Sequence, residues 1–239
     1  MEKTDRFLKS LEILNIHLNK KQVYQFVKYY EMLIETNKVM NLTAITDFDE
    51  VIDKHFVDSL ALIQAIDLNK ELKVIDVGTG AGFPGIPLKI AFPELDILLL
   101  DSLNKRILFL DQVISELGLE NIQTIHGRAE DFGKNPLYRE KFDLCVSRAV
   151  ANLSTLSEYC VPFVKVDGYF ISYKSGKVQE ELDASRHAVD ILGGKVEKCL
   201  NYALADTDME RSLVVIHKLK PTKKAYPRKA GKPSKEPLQ

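Results

Sequence analysis

The segment Asp76-Val77-Gly78-Thr79-Gly80-Ala81-Gly82 sets three alternating glycines directly behind a short apolar run that ends in an acid. Glycine turns tightly and, having no Cβ, lets a ligand approach main-chain N–H groups at a helix start. That is the chemistry of a cofactor cradle. Gly80-x-Gly82-x-x-Gly85 also satisfies the dinucleotide pattern GxGxxG, so an NAD-linked oxidoreductase is one reading. Two neighbours favour another. Asp76 precedes the glycines, where it repels a dianionic pyrophosphate but can order a loop beside a cation. Pro84 and Pro87 remove N–H donors that a pyrophosphate needs. A nucleoside sulfonium has positive charge and no phosphate, so S-adenosylmethionine is the expected cofactor.

Asp101 follows the next apolar run, 19 residues after Gly82, where a carboxylate can accept both ribose hydroxyls or can cap the helix that starts with Ser102 and Leu103. Gly127-Arg128-Ala129-Glu130-Asp131 forms a later polar loop able to bracket an adenine. Cys145 falls inside an apolar run and reads as a buried core thiol rather than a nucleophile. His17, His126, His187 and His217 are scattered, and with three widely spaced cysteines they offer no metal-ligand spacing, so no metal is expected.

The elements that position these residues follow from periodicity. Val23, Phe26, Val27, Tyr30, Leu33 and Ile34 recur at helical spacing behind a candidate N-cap, Asn19. Phe7, Leu8, Leu11 and Leu14, and later Phe48, Val51, Ile52, Leu60 and Ile63, suggest further helices, so residues 1–70 read as a helical N-terminal appendage. From Leu72 short apolar runs alternate with helix-length segments, the pattern of a parallel sheet with crossover helices. Strands are expected near 72–77, 95–100, 122–126, 142–147, 168–174, 196–202 and 212–218, with helices over 85–92, 103–118, 151–161 and 177–192. The fold class is α/β, a doubly wound seven-stranded Rossmann-like sheet over 71–219 that carries the cofactor, followed by a basic, proline-rich tail over 220–239.

Composition is ordinary for a folded domain, with 45% hydrophobic and 28% charged residues, which excludes disordered and collagenous chains. The first residues carry no apolar signal core and no run is long enough to span a bilayer, so a cytoplasmic protein without a membrane is expected. The net charge of −1 is unevenly spread. Seven cations against Glu236 give residues 219–239 a charge of +6, which leaves −7 for the other 218 residues. Such a tail is either an anion-binding arm or a solvated extension.

Three stretches together resemble the RsmG (GidB) family, bacterial 16S ribosomal RNA guanine-N7 methyltransferases: Asp76 to Pro87, Ser147-Arg148-Ala149-Val150-Ala151, and Tyr226-Pro227-Arg228-Lys229-Ala230-Gly231. Asn41-Leu42-Thr43-Ala44-Ile45 and His55-Phe56-Val57-Asp58-Ser59-Leu60 extend the resemblance over nearly the whole chain. It implies methyl transfer to N7 of guanosine 527 in 16S ribosomal RNA, with naked RNA or the small ribosomal subunit as partner. It also implies cofactor contacts at Gly78, Phe83, Ala129, Glu130 and Arg148, beside the Gly80 and Asp101 read from the cradle. Asn41, His55 and Asp58 would line the RNA side, and Arg228 and Lys229 would reach RNA from the tail. The bland alternatives are a structural histidine, a turn cap at Asn41, a helix cap at Asp58 and an internal ion pair at Arg148. The family tends to carry proline where this chain has Ala205.

Residue chemistry agrees with such an acceptor. Ser147-Arg148-Ala149-Val150 is not the Asn/Asp-Pro-Pro-aromatic motif of exocyclic-amine methyltransferases, and Cys145 lacks the preceding proline expected for attack on a pyrimidine. Guanine N7 offers an in-plane lone pair without a proton to remove. Alignment alone can contribute roughly 7 to 11 kcal/mol, so no general base is assigned.

Overall fold

The structure is a computed structural model and describes residues 2–176, 178–204 and 209–238. Ala205 and Lys177 lie outside those residues. Seven strands, β1 (Lys73–Val77), β2 (Asp96–Asp101), β3 (Ile122–His126), β4 (Phe142–Arg148), β5 (Val164–Ser175), β6 (Gly194–Ala203) and β7 (Glu210–Lys218), form one sheet. Their order is β3-β2-β1-β4-β5-β7-β6. The first five run parallel, while β7 is antiparallel to both β5 and β6. The parallel pattern expected for the whole sheet therefore stops at β5. Only residues 204–209 join β6 to β7, too few for the crossover of a dozen or more that a parallel neighbour requires.

The parallel strands are apolar on both faces because helices cover both. Val74 and Leu99 pack into one cluster with Phe26, Leu88 and Phe109, and Ile75 and Val77 into another with Leu153, Leu156 and Val189. Helices α1 (Glu2–Glu12) and α2 (Lys20–Met40) precede the sheet, and then comes one continuous helical run. That run passes from α3 (Phe48–Val51) through a π-helical stretch (Ile52–Val57) into α4 (Asp58–Leu60) and a final 3₁₀ turn (Ala61–Gln64). Asn19 caps α2 through a reciprocal capping box with Gln22, as the sequence suggested. The buried stripe of α2 is Gln25, Phe26, Tyr29 and Leu33; Val23, Val27, Tyr30 and Ile34 are only half-buried. Crossover helices α5 (Gly85–Ala91), α6 (Asn104–Leu117), α8 (Leu153–Cys160) and α9 (Gln179–Ile191) fall close to their expected spans.

Two departures bear on the site. The polar loop after β3 contains a single helical turn, α7 (Ala129–Phe132). The C-terminal segment packs on the body as a strap that ends in α10 (Lys232–Lys235), with Lys223, Lys224 and Lys229 exposed. Arg139 donates to the carbonyl oxygens of Thr222 (2.6 Å) and Tyr226 (2.8 Å), and Thr155 donates to that of Pro233 (3.1 Å).

Candidate active site

The carboxyl ends of β1, β2, β3 and β4 converge on one sheet edge, where ligands of open α/β sheets bind. At the end of β1 Asp76 is fully buried, and Oδ2 accepts from the Thr79 hydroxyl (2.7 Å) and the Gly85 N–H (2.9 Å). The aspartate thus ties both ends of the glycine loop to the strand. Burial pushes its carboxyl up to about 7, although the Thr79 and Gly85 hydrogen bonds oppose the shift. From the other side the Tyr29 hydroxyl donates to Ala81 O (2.6 Å), so α2 braces the same loop. Gly80 adopts φ +64°, and a Cβ built there would meet only Gly78 O at 4.0 Å, so its backbone faces open cavity. At Gly78 an added Cβ would strike Val150, 2.5 Å away.

Asp101 closes β2 with three bonds. Oδ2 accepts from Gly80 N–H (2.9 Å) and faces Arg106 Nη1 (3.3 Å), while Oδ1 accepts from Leu103 N–H (2.9 Å). The cap of α6 is Leu103, not the aspartate. A carboxylate has about four acceptor positions, so capacity remains for a ribose hydroxyl. Asp101, Ser102, Ala129, Glu130, Tyr159, Gly231 and Ser234 line a cavity of about 290 Å³. An adjoining cavity of about 400 Å³ is lined by Thr43, His55, Gly78, Gly80, Phe83, Asp101, Arg106 and Arg148.

At the end of β4 Arg148 forms an ion pair with the buried Asp58 (2.8 Å), which also accepts from the Tyr202 hydroxyl (2.7 Å). The guanidinium lies 5.1 Å from the Phe83 ring centroid, and the His55 ring stacks on Phe83 at 4.5 Å. Arg148 Nη2 faces His55 Nδ1 at 3.3 Å. Nδ1 also lies 3.1 Å from the Lys54 carbonyl oxygen, and Nε2 lies 2.8 Å from Thr43 Oγ1. Burial, and next the Arg148 charge, lower the imidazole to about 3, so His55 is neutral at physiological pH. A third cavity, of about 510 Å³, opens beyond Arg148 and His55 with Lys54, Lys174 and Arg211 on its walls.

The edge therefore gathers Gly78, Gly80, Phe83, Asp101, Ala129, Glu130, Arg148, His55 and Asp58. It does not gather the others. Asn41 is exposed and caps α2 in a left-handed conformation (φ +48°), and Arg228 and Lys229 sit on the strap, Arg228 paired with Glu158 and Lys229 exposed. The internal-pair reading of Arg148 holds, and Asp58 serves that pair without making a side-chain cap. Cys145 is fully buried beside Cys160, which raises its thiol pKa. Sequence reading missed Tyr29, Arg106, Glu158 and Tyr202. Glu158, the acid of the helix Leu153–Cys160, and Arg228 in the tail motif were visible as charges, but 70 residues separate them.

The donor set suits a cationic nucleoside: an acid beneath the glycines, a carboxylate at the ribose position and no lysine in the loop. Asp76 Oδ1 has no hydrogen-bond partner among the described residues. No group of His, Cys, Asp and Glu among them could hold a metal, and no helix is long and apolar enough to cross a membrane.

This sheet order and edge define a Rossmann-like methyltransferase. Solved structures share the fold: TrmN from Thermus thermophilus (TM-score 0.53, 15% identity, 68% of this chain and 48% of that one). TYW2 from M. jannaschii, in complex with AdoMet, also matches (TM-score 0.51, 13% identity, 63% and 71%). The family model GidB, rRNA small subunit methyltransferase G, matches residues 22–213. Ribosomal RNA small subunit methyltransferase G of Lachnoclostridium phytofermentans is 55% identical, covering 100% of this chain and 98% of the relative. That of Alkaliphilus oremlandii is 51% identical over 100% of both. The chain belongs to the GidB family of rRNA small subunit methyltransferases, which sets aside the NAD-linked reading.

Proposed function

We propose that this chain, acting in the cytoplasm, transfers the methyl group of S-adenosylmethionine to N7 of guanosine 527 in 16S ribosomal RNA. The observation that carries the reading is the junction at Arg148, where the glycine cradle meets a second cavity lined by Lys54, Lys174, Arg211 and Glu181, and His55 is held neutral. Bound in the cradle, the cofactor would supply a methyl group on a sulfonium. Gly78 and Gly80 would give it backbone, Asp101 would take the ribose, and Ala129 and Glu130 would bound the adenine. Phe83 and Arg148 would form the wall between cofactor and nucleotide, oriented by His55 and Asp58. Lys54 and Lys174, now ion-paired with Glu50 and Glu181, would have to exchange those partners to take RNA phosphate, and Asn41 and Lys229 would contact RNA from the surface. Arg228, committed to Glu158, would act on RNA only indirectly.

An N7 acceptor needs alignment rather than deprotonation, and this site supplies alignment. An arginine fork on N7 and O6 would occupy the reacting lone pair, so the guanine would be held by its Watson–Crick edge or by stacking. The test is to incubate the protein with labelled cofactor and ribosomal RNA from a strain lacking it, as naked RNA and as small subunit, and to map the modified nucleotide. Label at another nucleotide, or none in either substrate, would overturn the reading.

A further inference from the structure

The cofactor cavity has a wall that the chain supplies from its far end. Gly231 and Ser234 line it together with Asp101, Ala129 and Glu130, although about a hundred residues separate them from the last two. Glu130 is buried, and its Oε1 accepts from the Gly231 N–H at 2.8 Å. That bond reaches into α7, a single turn whose N-cap, Arg128, makes no side-chain cap. The other end of the turn is pinned too. Pro227 lies against Gly133, where a Cβ would come within 3.1 Å of the proline ring, and Arg139 Nη1 bridges the carbonyl oxygens of Gly133 and Tyr226, both at 2.8 Å.

The strap is in turn anchored on α8. Glu158 is 0% exposed, and Arg228 meets its carboxylate through its own backbone N–H (2.7 Å), Nε (3.0 and 3.1 Å) and Nη2 (2.7 Å). A buried carboxylate without its partner is strongly unfavourable, so this pair fixes where the strap can lie. The match to the family model ends at residue 213, before the strap begins.

We propose that the strap is a cofactor-positioning element: by clamping α7 at both ends, Arg228 and Gly231 set the adenine wall and thereby the affinity for S-adenosylmethionine. Arg228 is a positioning residue, since it reaches the cavity only through Gly231 and α7. The inference rests on the cradle being the adenosylmethionine site. It adds a cofactor role to a segment whose sequence suggested contacts to RNA.

The test uses the full-length chain, Arg228→Gln, and the double variant Glu158→Gln/Arg228→Gln, which removes the buried charge while leaving hydrogen-bonding groups in place. Calorimetry with S-adenosylmethionine should show a Kd raised about tenfold in both, inside the ~5–150-fold range of coupled sites. With cofactor and RNA both saturating, kcat should stay at the wild-type value. Coupling is reciprocal, so saturating cofactor should slow tryptic cleavage of the wild-type strap at Lys223 to Lys235 by a comparable factor. A lowered Tm with unchanged cofactor Kd would overturn the inference, as would a change confined to RNA affinity. Should the variants fail to fold, an unchanged cleavage rate in the wild-type chain overturns it. A wild-type chain that gives no calorimetric signal removes the cofactor reading and this inference together; normal wild-type binding that ignores the strap removes this inference alone.

Discussion

Asp76 is a carboxyl in a place where ionisation is costly. It is fully buried, and its carboxyl lies at about 7 in the folded chain against an ordinary 3.8. A group whose folded value is raised binds its proton more tightly in the folded state, so its stabilising share is complete below about 4 and is lost as pH rises to about 7. That interval caps the effect on the order of 4 kcal/mol. Asp76→Asn keeps an acceptor for Thr79 and Gly85 without the titration, so wild type should lose stability relative to the variant across this window in urea melts. Parallel pH profiles would refute the assignment. Asp101 and Gly80 act on the ligand more directly. Asp101→Ala removes the tie to Gly80 N–H, and Gly80→Val puts a branched side chain at φ +64° into the cavity. Both should weaken S-adenosylmethionine binding at least tenfold by calorimetry, about 1.4 kcal/mol, and retention within about threefold would remove these residues from the pocket.

Between elements, the tie that matters most to the cradle is the one from α2 to the glycine loop. Tyr29→Phe deletes the hydroxyl that donates to Ala81 O and leaves that carbonyl buried without its partner. The expected loss is about 1–3 kcal/mol in urea unfolding, and a change below about 0.3 kcal/mol would mean that the bond is not a brace. Tyr29 also shows where sequence reading stops. The period of α2 was legible from Phe26 and Leu33, but several phases of a 3.6-residue repeat fit its many apolar positions, and only the sheet decides which stripe is buried. The strands were legible because burial on both faces makes them short apolar runs, and the glycine loop because backbone conformation is written in residue type. The antiparallel direction of β7 was legible but not read: the expected strands 196–202 and 212–218 leave nine residues between them, too few for a parallel crossover. The strap was hidden: Arg228 pairs with Glu158 and the Gly231 N–H donates to Glu130, and pairings across 70 or more residues leave no local signature.

At the scale of the whole molecule, the N-terminal helices, the sheet and the strap each give a wall to neighbouring cavities, so binding and chemistry can be separated by experiment. His55, lowered to about 3, stays neutral and does not titrate near neutral pH, and Arg148 is occupied by Asp58. With N7 as acceptor, single-turnover methyl transfer at saturating cofactor should therefore be flat from about pH 6 to 9, where a required base would give a titrating limb. The second-order constant for cofactor behaves differently, because it reports the free enzyme. Ionised Asp76 attracts a sulfonium and neutral Asp76 does not, so that constant should rise with pH through about 7. A sloping single-turnover rate would mean that a proton is removed during transfer and that the acceptor is not N7. The RNA side gives the matching test. RNA with 7-deazaguanine at the target should bind almost normally, since recognition avoids N7, yet accept no methyl group. Methylation of that substrate would move the acceptor elsewhere on the nucleotide, and failure to bind it would show that the protein reads N7 before reacting with it.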